Sequence, residues 1–99
     1  MTTVLGVGHV TLHIHASHSL KDKRRIVRSL IERARGRFNA SVAEVGELDN
    51  WQVAVIGVVC ITNSGAHADQ MLAEIVRFIE ANAPFGAVAD VATELIHGD

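Results

Sequence analysis

The stretch Ser41-Val-Ala-Glu-Val-Gly-Glu-Leu-Asp-Asn-Trp-Gln-Val-Ala-Val-Ile-Gly-Val-Val-Cys-Ile-Thr62 decides the fold. Ser41 to Val45 reads as a short strand, Gly46 to Asn50 as a polar hairpin loop, and Trp51 to Thr62 as a long returning arm rich in β-branched residues. Within that arm, Val53 to Ile61 is the longest nearly unbroken apolar run of the chain. It is about half of the ~20 residues needed to cross a bilayer, so it reads as a strand. Both of its alternating sets are apolar: Val53, Val55, Val59 and Ile61 on one side, Ala54, Ile56, Val58 and Cys60 on the other. A sheet with one face in water should show polar residues on one of those sets. Something is therefore expected to cover the second face, and a second copy of the chain is the simplest cover, giving a homodimer through the open sheet face.

Upstream of this hairpin, Val10, Leu12 and Ile14 alternate with Thr11, His13 and His15, which predicts a strand over residues 4–15. Ser19 follows as a helix N-cap, with Asp22 three positions on as a shortened capping-box acid. Ile26, Val27, Leu30, Ile31, Ala34 and Phe38 recur at helical spacing, and Gly36 and Asn39 mark the exit. Downstream, Asn63-Ser-Gly65 supplies the next N-cap region. Ala68, Leu72, Ile75, Val76 and Ile79 form a second stripe that stops near Asn82 ahead of Pro84, and Val88 to Ile96 is the last strand. Strand, helix, hairpin, helix, strand predicts an α+β fold. It is the ferredoxin-like β-α-β-β-α-β sandwich, a four-stranded antiparallel sheet with two helices on one face, formed by one domain over residues 1–99.

Composition agrees with one packed core: 99 residues, 48% hydrophobic, 20% charged and a single proline. Cys60 has no partner for an internal disulfide and sits in an apolar run, which fits a buried, inert thiol in a reducing compartment. The first residues lack a basic leader and a small-residue cleavage site, so a cytoplasmic protein without a membrane partner is expected.

Net charge is only −2, but residues 21–37 hold eight of the nine Lys and Arg against Asp22 and Glu32. On a helical wheel, Lys21, Arg24, Arg25, Arg28 and Arg35 fall opposite the Ile26, Leu30, Ala34 stripe, with Glu32 among them. Lys21 with Arg25 and Arg24 with Arg28 are like-charge i, i+4 pairs, each costing roughly 0.2 to 0.5 kcal/mol. Cations in a first helical turn also oppose the helix dipole, by about 0.3 to 1 kcal/mol each. Local stability would prefer acids there, whereas phosphate would prefer what is present. Lys21, Lys23, Arg24, Arg25, Arg28 and Arg35 are the candidate nucleic-acid-binding residues. The bland alternative is a solvated helix face neutralised by Asp22, Glu32 or a neighbouring acidic loop. An RNA-recognition-motif mode is not expected, because the aromatics Phe38, Trp51, Phe78 and Phe85 leave the central strands without a mid-strand ring.

Other constellations are weaker. His9, His13 and His15 share one face of the first strand, with His18 nearby. The neighbouring strands offer mostly Val, Ile and Ala as further ligands, so no metal site is expected. Gly6-Val-Gly8 opens no helix and lacks the third glycine of a dinucleotide fingerprint, so close packing or a bulge in the first strand is its reading, and no cofactor is expected. Trp51 reads as a hairpin anchor, and Glu44, Glu47 and Asp49 as solvated acids on the hairpin tip.

The segments His18-Ser-Leu-Lys-Asp-Lys-Arg-Arg25, Phe38-Asn-Ala-Ser-Val-Ala-Glu-Val45, Trp51-Gln52 and Ile56-Gly-Val58 resemble the YlxP-like family, small bacterial proteins of unknown function. The resemblance implies a ferredoxin-like fold. It also implies an association with translation, since genes of that family commonly lie beside those for a translation initiation factor and a ribosome-binding factor. It supplies no catalytic residue. The expected function is a non-catalytic RNA- or ribosome-associated accessory factor that contacts phosphates through its basic first helix. A dimeric small-molecule-sensing or regulatory domain, with the ligand at the sheet interface, is the alternative. An enzyme is third, for want of a nucleophile beside a base, paired carboxylates or a metal-ligand set.

Overall fold

Six elements follow one another in the computed structural model: β1 (Thr3–His13), α1 (Leu20–Arg37), β2 (Ser41–Gly46), β3 (Val53–Thr62), α2 (Gly65–Asn82) and β4 (Val88–Gly98). The structure describes residues 2–98; Met1 and Asp99, the ends of the expected domain, lie outside the described residues. The strands form one antiparallel sheet in the order β2-β3-β1-β4, which is the ferredoxin-like arrangement. Period-two alternation sends Val4, Val10, Leu12 and Ile14 to the same side as Ala54, Ile56, Val58 and Cys60. There they meet Val27, Leu30 and Ala34 of α1 and Leu72, Ile75 and Ile79 of α2, so both helices cover one face.

Helix boundaries follow local chemistry. Ser19 Oγ accepts from the Asp22 amide at 3.0 Å, while Asp22 Oδ2 accepts from the His18 amide at 3.4 Å, a capping box displaced by one residue. Ser64 Oγ caps α2 by accepting from the His67 amide at 3.3 Å. Helix α1 runs through Gly36 and closes at Phe38, whose N–H donates to Ala34 O at 2.9 Å. The first strand ends at His13, two residues earlier than its alternation predicts. The Ile14 amide still donates to Gln52 O at 2.6 Å before the chain turns at buried Ser17.

The helices approach the sheet closely over β1. A Cβ on Gly6 would stand 2.8 Å from Cys60 Sγ and 3.1 Å from Leu72 Cδ1, so Gly6 serves close packing, whereas a Cβ on Gly8 would meet Leu72 Cδ2 at an ordinary 3.5 Å. On the opposite face Leu5 lies in register between Ile61 and Ile96, and Val7 between Val59 and Glu94. This face is largely apolar, with Ile61 63% exposed.

A Gly6→Ala variant should lose about 1 to 3 kcal/mol in denaturant unfolding, because an added methyl finds no room. Adding Cys60→Ala removes the nearest obstruction and should recover part of that loss; no recovery would show that Leu72 and the α2 backbone set the limit.

Candidate nucleic-acid interface

The eight basic residues of α1 divide into two groups. Lys23 is a correction to the expected phosphate-contacting set, because it is completely buried. It continues the inward stripe of Val27, Leu30 and Ala34 at i+4, i+7 and i+11. Its ammonium donates to Glu44 Oε2 at 2.8 Å and to the carbonyls of Glu47 (2.9 Å), Val53 (3.2 Å) and Leu48 (3.4 Å). An ammonium has three N–H donors, and this shell of acceptors consumes them. Glu44 is corrected with it: its side chain is 16% exposed and lies in β2 as the counterion of Lys23, not free on the hairpin tip. Glu47 and Asp49 do remain exposed.

Three further cations serve the fold. Arg35 Nε donates to Val42 O at 2.9 Å, which pins its side chain along β2 while the residue stays exposed. Arg33 reaches Asn82 Oδ1 at 3.1 Å. Arg37 lies 5.7 Å over the rings of both Phe38 and Phe78, which themselves meet edge to face at 5.5 Å. The remaining four, Lys21, Arg24, Arg25 and Arg28, line the outer face of α1 and are exposed. Arg25 approaches Asp22 Oδ1 at 3.6 Å, an exposed i, i+3 pair worth little. Among the described residues, Lys21, Arg24 and Arg28 have no ion-pair partner, even though Glu32 lies one turn below Arg28. The first-turn amides are partly used by the Ser19 cap, so an anion here would be met chiefly by side chains.

His13 and His15 stack with ring centroids 3.9 Å apart. Among the described residues, no group of three or more His, Cys, Asp or Glu lies close enough to hold a metal ion. Cys60 is buried. Trp51 does not anchor the hairpin in the core, being 46% exposed and outside the core cluster. No helix among the described residues is long and apolar enough to cross a membrane.

Lys23→Met should strand the Glu44 carboxylate and three carbonyls. Breaking a buried pair costs about 3 to 5 kcal/mol, and the partial exposure of Glu44 places the loss near the lower end. Urea denaturation should show Lys23→Met with Glu44→Leu losing less than Lys23→Met alone. Equal losses would mean that side-chain volume, and not the stranded carboxylate, sets the cost.

Comparison with known proteins gives the same grouping as the motifs. The model of a family described as a protein of unknown function, DUF503, matches residues 5–92. The uncharacterized protein YlxP of Bacillus subtilis (strain 168) is 27% identical over 78 residues, covering 79% of this chain and 85% of that protein. Among solved structures, the de novo designed protein Foldit4 superposes over 100% of this chain and 98% of its own, at 13% identity and a TM-score of 0.47. With a family model covering most of its length, the chain belongs to the DUF503 family of proteins of unknown function.

Proposed function

We propose that this chain is a non-catalytic, cytoplasmic accessory protein that contacts RNA, free or in a ribosomal particle, through the outer face of α1. The observation that carries the reading is the row of exposed cations, Lys21, Arg24, Arg25 and Arg28, with only one weak pair among them. Lys21 and Arg28 lie seven residues apart, so the row extends about 10 Å along the helix. Within it the cations repel one another and gain nothing for folding. An anionic polymer relieves that repulsion and releases its counterions on binding.

The open sheet face supports a second element of the proposal, a homodimer. Four strands of 11, 6, 10 and 11 residues, about 4.8 Å apart with a rise of about 3.3 Å per residue, present roughly 600 Å² per copy, so two faces together reach the lower bound of stable interfaces near 1,200 Å². Its apolar members include Leu5, Val7, Val59 and Ile61, and its polar members His9 and Glu94 could pair across the seam. The rival reading, a small molecule held between two sheets, would use the ≈540 Å³ depression at Gly57, lined by Val7, His9, Ala43, Val45 and Val59. It shares the dimer but leaves the basic row without a task, and so explains less.

Binding of ribosomal RNA fragments across a salt series should give a log-log slope of about −3 to −4 for four phosphate contacts. Arg24→Glu with Arg28→Glu should reduce it to about −1 or abolish binding. A flat salt response in the unaltered chain would remove the reading. In sedimentation equilibrium the chain should behave as a dimer and Val59→Lys with Ile61→Lys as a monomer; a monomeric unaltered chain would rule out the sheet-face dimer while leaving the helix untouched.

A further inference from the structure

Three loops meet at the end of the sheet where α1 begins. The Ile14 amide donates to Gln52 O at 2.6 Å and the His13 amide to Ala87 O at 2.7 Å. Gln52 Nε2 donates to the carbonyls of His15 (3.3 Å) and Ser17 (3.4 Å). These bonds hold the β2–β3 hairpin and the α2–β4 turn on either side of the β1–α1 segment. Each flanking loop exposes one aromatic ring, Trp51 on the hairpin and Phe85 on the turn. Neither ring belongs to the core or to the residues packed against it.

Phe85 is held out by a hydrogen-bonded turn. The Ala87 amide donates to Pro84 O at 3.0 Å, and Gly86 has φ 73°, which places Phe85 and Gly86 at the two corners of a type II turn. A wholly exposed phenyl ring at a fixed corner contributes no burial to this fold and leaves its face open to a ligand. Beside the turn, a groove of ≈440 Å³ between the helices is lined by Arg25, Ser29, Arg33, Asn82 and Pro84. Arg25 also belongs to the outer row, so the cations run continuously toward Phe85. On the other side, the bonds from Lys23 to Glu47 O and Leu48 O clamp the hairpin that carries Trp51 onto the first turn of α1.

We propose that this end of the molecule binds unpaired RNA, with bases stacked on Trp51 and Phe85 while the backbone follows Lys21, Arg24, Arg25 and Arg28. The inference rests on the RNA reading above and narrows it to single strands, because a duplex buries the base faces that such rings need. Strands β3 and β4 lie about 10 Å apart across β1, and the two rings sit on the loops that lead into them. Glu47 and Asp49, exposed on the same hairpin, repel phosphates and leave the uncharged bases as the part that meets Trp51. Stacking needs only a π-face, so recognition is tolerant of sequence. An apolar protein segment could also cover the two rings, but the adjoining cations favour a polyanion.

Trp51 is the only tryptophan, and the chain has no tyrosine, so intrinsic fluorescence reports directly on stacking there. The full chain is titrated with an oligouridylate and with duplex RNA of the same length. Saturable quenching is expected with the single strand and little with the duplex. Phe85→Ala, which removes no buried group, should weaken single-strand binding about five- to a hundredfold and leave duplex binding unchanged. Equal quenching by the duplex, or a single-strand affinity indifferent to Phe85→Ala, overturns the stacking site. In that event, continued sensitivity to Arg24→Glu with Arg28→Glu shows that the phosphate reading survives without it. If neither RNA binds the unaltered chain, both proposals fall, and quenching by an apolar peptide alone would assign the rings to a protein partner.

Discussion

One ammonium group ties the loop end of this molecule, where α1 begins, together. Lys23 is removed from water inside a small fold, and an unpaired cation there would lose several kcal/mol of hydration. A carboxylate and three backbone carbonyls replace that water, drawn from β2, from the hairpin and from the start of β3. The first turn of α1 is thereby held to the β2–β3 hairpin at a fixed height. Glu47 has a left-handed backbone, φ 59°, that a residue with a Cβ enters rarely. Its carbonyl accepts both from Lys23 and from the Asn50 amide at 3.0 Å, which keeps the turn in that state. With Lys23 pointing inward, helical geometry directs Lys21, Arg24, Arg25 and Arg28 away from the core.

Close packing supplies the second constraint. The missing side chain at Gly6 lets Leu72 and the α2 layer settle onto β1. Both helices cover that one face, and the other face of the sheet is left bare. The basic row lies on the outside of the helix layer and the apolar face on the far side of the sheet, so the two surfaces do not compete. A second copy covering the sheet would leave both basic rows in solvent, displayed in pairs.

Most of the fold was legible because its signals are periodic. Alternation in β1 and β3, the two apolar helical stripes and the serines that cap them each require only local spacing. Several strand boundaries shift by one or two residues. Ile14 keeps the inward parity of Val10 and Leu12 after the ladder ends, because it is buried beneath the loop and not paired in a strand. Gly36 and Asn39 bracket the end of α1, whose last residue is Arg37 and whose closure is the Phe38 N–H bond to Ala34 O. The site was less legible. Lys23 shares the stripe of Val27, Leu30 and Ala34, and Glu44 shares the inward parity of Val42, so periodicity held the evidence for their pairing. Charge type masked it, because both residues belong to classes that are rarely buried. The turn at Pro84-Phe-Gly86 could be read from proline and glycine, but the full exposure of Phe85 depends on three loops that come together only in the folded chain.

Four exposed cations in the first half of α1 run against local stability, and the same segment shows how the fold tolerates them. Asp22 is the sole acid of the first turn, where it favours the helix dipole, accepts the His18 amide and lies 3.6 Å from Arg25. Arg33, Arg35 and Arg37, placed toward the helix C-terminus, suit the dipole and have each found a partner in the fold. Apart from buried Lys23, the cations of this helix are engaged where the dipole welcomes them and stand largely free where it does not. Folding alone would favour the reverse at the N-terminal half, since acids there would strengthen the helix. The imbalance falls beside the loop end where the two uncovered rings stand.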